Sequence, residues 1–198
     1  CYLKDTTNHV FAFINGCEQT CMLASKALNE GKAIIDCGCT ESLGSVEAIE
    51  RLAELNIKEF GSSKMEVDTT CRPWYSFGNG ERRQAYSKAT FDVVGDNKEG
   101  TFDVHAMKAP GVPMLASIMA LRSLGAIIDF GRDTAIFENI NKDAAVLLER
   151  AKSQHLLLPL AGDILQNRTT SPEHLAGFLN AGKLASKSMK SEWGQHSP

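Results

Sequence analysis

The sequence predicts a mainly β protein with one or two short helices. Three observations lead there. Runs rich in β-branched and aromatic residues, such as Lys32–Asp36, Trp74–Phe77 and Ala126–Phe130, recur between glycine-bearing turns. Gly78-Asn79-Gly80 and Gly131-Arg132-Asp133 each separate two such runs, as hairpin tips do. In the middle of the chain, helical spacing of apolar residues is confined to the stretches after Ser45 and after Ala116.

The bulk numbers fit one domain with tails. The chain has 198 residues, 43% hydrophobic and 23% charged, which is enough to bury a real core. We expect an N-terminal segment at 1–30, a folded domain at 31–161 and a helical or disordered tail or linker at 162–198. A net charge of -3 gives no basic footprint for a nucleic acid. No run approaches the about 20 apolar residues of a membrane helix, and Leu156–Ala161, the most apolar, contains Pro159. The start of the chain lacks a basic stretch followed by an apolar block, so no secretory leader is expected. The six cysteines, at 1, 17, 21, 37, 39 and 71, are then read as reduced thiols in a cytoplasmic setting.

Element by element, His9–Asn15 reads as a short strand and Thr20–Asn29 as a short helix, broken by Gly31. Lys32–Asp36 is apolar and β-branched, as a buried strand should be, and runs into the turn Cys37-Gly38-Cys39-Thr40. A helix follows, with Ser45 as N-cap and Glu47 in its first turn. Val46, Ile49, Leu52 and Ala53 share a face, and Asn56 is the expected stop. Glu66–Val104 is β-rich: a hairpin tipped by Gly78–Gly80, a strand through Ala89, Phe91 and Val93, a turn at Gly95–Gly100, and a strand at Thr101–Met107. After Pro110–Pro113 comes a helix over Ala116–Leu124, stopped by Gly125. Ala126–Phe130 and Thr134–Phe137 form the next hairpin. Ala144–Glu149 and His155–Leu160 read as strands, with a helix left open for the first, and Ser171-Pro172-Glu173 reads as a late helix start.

One internal echo stands out. Ala33-Ile34-Ile35-Asp36-Cys37-Gly38 and Ala126-Ile127-Ile128-Asp129-Phe130-Gly131 agree at five of six positions. Each is a strand ending in Asp-x-Gly. Only the first is followed by small residues and a helix.

The order strand, Asp-x-Gly, helix, glycine-tipped hairpin, Val112-Pro113-Met114-Leu115-Ala116, Leu-rich helix and Gly-Ala-Ile-Ile-Asp-Phe resembles retropepsins, especially the protease domains of retrotransposon polyproteins. The resemblance runs from Lys32 to Phe137, about half of the chain. It implies a retropepsin-like fold of the acid-protease kind, one half of a closed β-barrel, with irregular or helical tails. It implies that Asp36 is the catalytic carboxylate and Cys37, Gly38, Cys39 and Thr40 the active-site loop. Phe77, Gly78, Asn79 and Gly80 then stand where a substrate-covering flap belongs. The implied activity is aspartic-type endopeptidase on a polypeptide, the retroelement's own polyprotein, with no cofactor and no metal. Such chemistry needs one carboxylate as base toward water and another as acid toward the carbonyl oxygen. Two carboxyls about 3 Å apart share a proton and divide these roles. Because only the first of the chain's two Asp-x-Gly triplets is a credible catalytic one, the resemblance implies a homodimer with Asp36 of each copy on the axis.

The chain departs from the family's pattern at three points. Cys37 replaces a Thr or Ser whose hydroxyl braces the dimer, and a thiol is a poor hydrogen-bonding substitute. Cys39 replaces a small residue, and Ala116 a glycine. They motivate a second reading, a catalytically inactive dimerisation or peptide-binding module.

Blander or rival readings stand beside these. Asp129, followed by bulky Phe130, reads as the cap of its own turn. Cys37-x-Cys39 with Cys17-x-x-x-Cys21 lacks zinc-motif spacing. Asp129-Phe130-Gly131 spells a kinase triplet without the rest of the kinase signature, and Gly78–Gly80 is too short for a phosphate loop. A Cys37 or Cys39 nucleophile with His105 as base is the remaining hydrolase alternative. Asn167-Arg168-Thr169 matches a glycosylation acceptor without a secretory context. Trp74, Tyr75 and Phe77 suit a cleft wall or plain sheet packing.

Overall fold

A computed structural model describes residues 26–169 except Asn79 and Lys152. The expected strand at His9–Asn15, the helix start at Ser171, the tail beyond 170, Cys17 and Cys21 all lie outside the described residues. Of the helix expected at Thr20–Asn29, residues 26–29 are described and helical.

The chain is mainly β. Its elements are β1 (Lys32–Asp36), β2 (Leu43–Ser45), α1 (Val46–Phe60), β3 (Met65–Asp68), β4 (Trp74–Ser76), β5 (Arg82–Gln84), β6 (Ser87–Gly95), β7 (Lys98–Met107), β8 (Met114–Ser117), α2 (Ile118–Ser123), β9 (Ala126–Asp129), β10 (Thr134–Phe137), α3 (Glu138–Asn141), β11 (Lys142–Leu147), β12 (Glu149–Arg150), β13 (Leu156–Pro159) and β14 (Arg168–Thr169). An eight-stranded sheet runs β12-β13-β1-β8-β2-β7-β6-β3, and a four-stranded sheet runs β14-β11-β10-β9. Among the described residues β4 and β5 form a two-stranded sheet of their own.

The expected closed barrel is not formed. Closure would need the terminal strands β12 and β3 to pair, but β12 has two residues and the outer residues of β3 (Glu66, Val67 and Asp68) face solvent. Among the described residues the large sheet stays open.

β1 is interior to that sheet. It runs parallel to β8, with Ile35 opposite Ala116 and Asp36 opposite Ser117. On its other edge it is antiparallel to β13, from Lys32↔Pro159 to Ile34↔Leu157. A strand with neighbours on both edges and apolar residues on both faces reads as an unbroken apolar run, which is why Ala33-Ile34-Ile35 was legible. Ala116 is fully buried in the same cluster as Ala33, Ile35, Leu52, Phe91 and Leu158. Its methyl is absorbed as core packing.

α1 starts as expected. Ser45 Oγ accepts the Ala48 N–H at 3.1 Å, and Ala48, Ile49, Leu52 and Ala53 are buried. It does not stop at Asn56. That residue is buried in the helix and its amide donates to the Ser63 carbonyl at 3.1 Å, tying down the exit. The helix ends at Gly61, where φ is 74° and the cap N–H reaches the Ile57 carbonyl, a left-handed cap that glycine adopts without strain.

Two further boundaries shift. The Gly95–Gly100 turn shrinks to Asp96 and Asn97, with φ 51° and 62°, because Gly95 pairs directly with Lys98. Asp and Asn tolerate this primed turn, so β7 begins at Lys98 rather than Thr101. The helix expected from Ala116 begins at Ile118, since Ala116 and Ser117 complete β8 and Ser117 serves as N-cap. Packing also crosses the expected domain edges at 31 and 161: Ala27 is buried beside Ile34 and Leu157, and Ile164 and Leu165 join the main core.

Candidate active site

β1 delivers Asp36 to the mouth of a short turn. The residue is 9% exposed. Its Oδ1 accepts the Gly38 N–H at 2.9 Å, and its carbonyl accepts the Cys39 N–H at 3.2 Å. The turn is local Asx chemistry: a carboxylate ending a strand takes the amide two residues on. A Cβ on Gly38 would stand 3.2 Å from Asp36 Oδ1, so glycine leaves that oxygen room.

The β8–α2 junction grips the loop from behind. The Ile118 N–H donates to the Cys39 carbonyl at 2.9 Å. Ser42 Oγ accepts the Ser117 N–H and donates to Ser117 Oγ, both at 3.2 Å. Ser117 Oγ in turn accepts the Ala120 N–H at 3.2 Å. Ser42 and Ser117 are 4% and 1% exposed, so each buried hydroxyl is partnered. Sequence reading missed both. The available signal was a serine three residues before Ala120, at the entry of an apolar helix, which is an N-cap position.

The remaining loop residues differ in setting. Cys37 and Thr40 are exposed, and Gly38 and Cys39 are half-buried. Burial around its sulfur, and then the Asp36 carboxylate, raise the Cys37 thiol above its ordinary pKa. The same two causes push Cys39 up to about 12. Both thiols are therefore held in the protonated form near neutrality. Cys39 Sγ donates to the Glu41 carbonyl at 2.7 Å.

The β4–β5 hairpin shares a supporting cluster with this loop. Phe77 and Tyr75 are half-buried in a small cluster with Cys39, Leu43, Ala85 and Met107. The hairpin closes with the Phe77 N–H on the Glu81 carbonyl at 2.8 Å and the Gly80 N–H on the Phe77 carbonyl at 2.9 Å. Gly78 and Gly80 are exposed, and Gly80 has φ 83°. Asn79 lies outside the described residues. Trp74 is 59% exposed, with Arg82 over its ring at 5.6 Å. Of the expected flap residues, Phe77 thus packs on the same buried cluster as Cys39 of the Asp36 loop, while Gly78 and Gly80 extend into solvent.

Behind the loop lies an unexpected polar cluster. Tyr75 donates to Glu41 Oε2 at 2.5 Å and meets His105 Nδ1 at 2.7 Å. His105 Nε2 faces Cys71 Sγ at 3.7 Å. Burial lowers the His105 pKa against the opposing pull of Glu41, and burial followed by the Glu41 bond raises Tyr75. The thiol that His105 faces is Cys71, not the Cys37 or Cys39 weighed from sequence. Glu41, Ser42, His105 and Ser117 also line a cavity of about 370 Å³ whose inner wall includes Phe102 and Leu158. Asp36 is not among its lining residues.

Asp129 repeats the local geometry of Asp36 in another electrostatic setting. Its Oδ1 accepts the Gly131 N–H at 2.8 Å, the cap of its own turn, as expected. Its Oδ2 takes Arg132 Nη1 at 2.6 Å, which holds the carboxyl below its usual range. A carboxylate clamped by a guanidinium is poorly suited to sharing a proton. Among the described residues no group of three or more potential metal ligands comes together, and no helix is long and apolar enough to cross a membrane.

No protein-family model matches the sequence, and no curated protein matches it. Among solved structures, the retroviral protease-like domain of Ddi1 from Leishmania major is similar to part of the chain. The TM-score is 0.35 at 18% identity, over 55% of this chain and 78% of that one.

Proposed function

We propose that this chain is an aspartic-type endopeptidase of retropepsin kind, active as a homodimer, with Asp36 of each copy forming the reactive pair. The supporting observation is the way Asp36 is held. It ends a strand flanked on both edges, is nearly buried, and has one oxygen fixed by the Gly38 amide. The reading needs a second copy because the chain's other Asp-x-Gly carboxylate is engaged by Arg132. Water held between two Asp36 carboxyls would lose a proton to one while the other protonates the scissile carbonyl oxygen. The pair titrates as a unit. An extended polypeptide would lie between the Asp36 loops and the β4–β5 hairpins, and junctions of a retroelement polyprotein are the proposed substrate.

The test is digestion of an unstructured protein by the purified chain from acidic to neutral pH, beside Asp36→Asn. Cleavage should appear in the acidic range and fall at least about a hundredfold in the variant. Cleavage that persists unchanged in Asp36→Asn rejects the proposal. If neither protein cleaves and both self-associate, the inactive dimerisation or peptide-binding module takes its place. Cys37 favours that second reading, since its thiol stands where the resemblance implies a bracing hydroxyl.

A further inference from the structure

The cluster behind the Asp36 loop has a direction. Tyr75 has one hydroxyl proton, and it goes to Glu41 Oε2. Toward His105 Nδ1, 2.7 Å away, the phenol oxygen is therefore an acceptor. That places the imidazole proton on Nδ1 and leaves the Nε2 lone pair free to accept. Nε2 faces Cys71 Sγ at 3.7 Å, so the thiol donates into the ring. Cys71 passes to His105, His105 to Tyr75, and Tyr75 to Glu41. The nucleophile, its base and the group orienting that base are all present.

We propose that Cys71 is a covalent-modification site for small α,β-unsaturated carbonyl compounds, with His105 as its proton relay. In the addition, the Sγ proton moves to Nε2 while the sulfur electron pair forms a bond to the β-carbon. The π pair shifts to give the enolate. Nε2 then returns its proton to the α-carbon, restoring neutral imidazole. Nothing leaves and no oxidant or reductant is consumed. The transient imidazolium has the Glu41 carboxylate 3.6 Å from Nδ1.

Two observations narrow the chemistry. Cys71 is half-buried, so a small electrophile can reach it and a bulky one is disfavoured. Its own amide N–H donates to Asp68 Oδ1 at 3.3 Å, beside the Thr70 N–H at 2.8 Å. The amide next to the nucleophile is therefore engaged rather than aimed at a developing oxyanion, and the site suits capture rather than turnover. The inference is independent of the peptidase reading, because it involves neither Asp36 nor a second copy.

The experiment treats the whole chain at neutral pH with one equivalent of N-ethylmaleimide, and follows each cysteine-containing peptide by mass spectrometry. Rates are compared between folded chain and chain in guanidinium. Cys71 should react about tenfold faster when folded, whereas Cys39 should react more slowly when folded. Tyr75→Phe removes the acceptor that fixes the tautomer. It should slow Cys71 about tenfold and leave Cys37 unchanged. Slower reaction of Cys71 in the folded chain overturns the proposal, as does an unchanged rate in a folded Tyr75→Phe variant. Should that variant fail to fold, the folded-to-unfolded ratio of the natural chain decides alone.

Discussion

His105 is 8% exposed, and burial holds its pKa below the ordinary 6.5. Glu41 and Asp103 pull it upward and Lys88 downward, but burial prevails. A group whose folded pKa is depressed binds its proton more readily when the chain unfolds. Its stabilising effect is complete above pH 6.5 and is lost as pH falls toward the folded value. Thermal unfolding should therefore show a decline in melting temperature beginning below about pH 6.5, and His105→Gln should flatten that part of the profile. A second loss belongs below pH 3.8, where Asp68 and Asp129, both held low by local hydrogen bonds, take up protons. Asp129 also tests the echo between the two Asp-x-Gly segments. Because its carboxylate is bound to Arg132, Asp129→Asn should leave any peptide cleavage at the natural rate, measured in the same assay in which Asp36→Asn is expected to lower it at least about a hundredfold.

The helix α1 owes its boundaries to two small residues, Ser45 at its start and Gly61 at its end. Ser45→Ala removes the oxygen that takes the Ala48 N–H and should cost about 1 kcal/mol in chemical denaturation. Gly44, one residue earlier in β2, is set by crowding: a Cβ there would stand 2.8 Å from Met114 Cγ. Gly44→Ala should destabilise by about 1–3 kcal/mol through overpacking between β2 and β8. These elements also show how far the sequence could be read. Ser45 and the Ile49–Leu52 face were legible because capping and helical spacing are local. The Asp129–Asp133 turn was legible for the same reason. Asn56 reads as a stop because asparagine is a weak helix former, and only the fold reveals the Ser63 carbonyl that its amide satisfies. Ser42 and Ser117 were invisible as partners because they lie 75 residues apart in the chain and meet through the β2–β8 pairing, which sets Leu43 opposite Leu115. Cys71 and His105 meet for a similar reason: β6–β7 sets His105 opposite Lys88, and β3–β6 sets Asp68, three residues before Cys71, opposite that same lysine.

At the scale of the molecule the large sheet is open, with β12 and β3 as its ends. The proposed chemistry requires association, so sedimentation at micromolar concentration should give a mass twice that of the chain. A strictly monomeric species that still cleaves peptide would contradict the pairing of two Asp36 side chains. If Cys37 occupies the place of a bracing hydroxyl, Cys37→Thr should tighten the dimer by about 1 kcal/mol per restored bond, read as a lower dissociation constant. The seating of Asp36 also has an order in time. The strand that carries it is made early, yet one of its two neighbours is Leu156–Pro159, and Ile164 and Leu165 close the core after that. While the ribosome is still adding the segments between, β1 has a bare edge along Lys32–Ile34, the stretch that leads into its aspartate. A nascent chain, or one clipped before Leu156, should thus be inert toward its neighbours. The peptidase activity proposed for Asp36 would arrive only once Leu156–Pro159 has paired with β1.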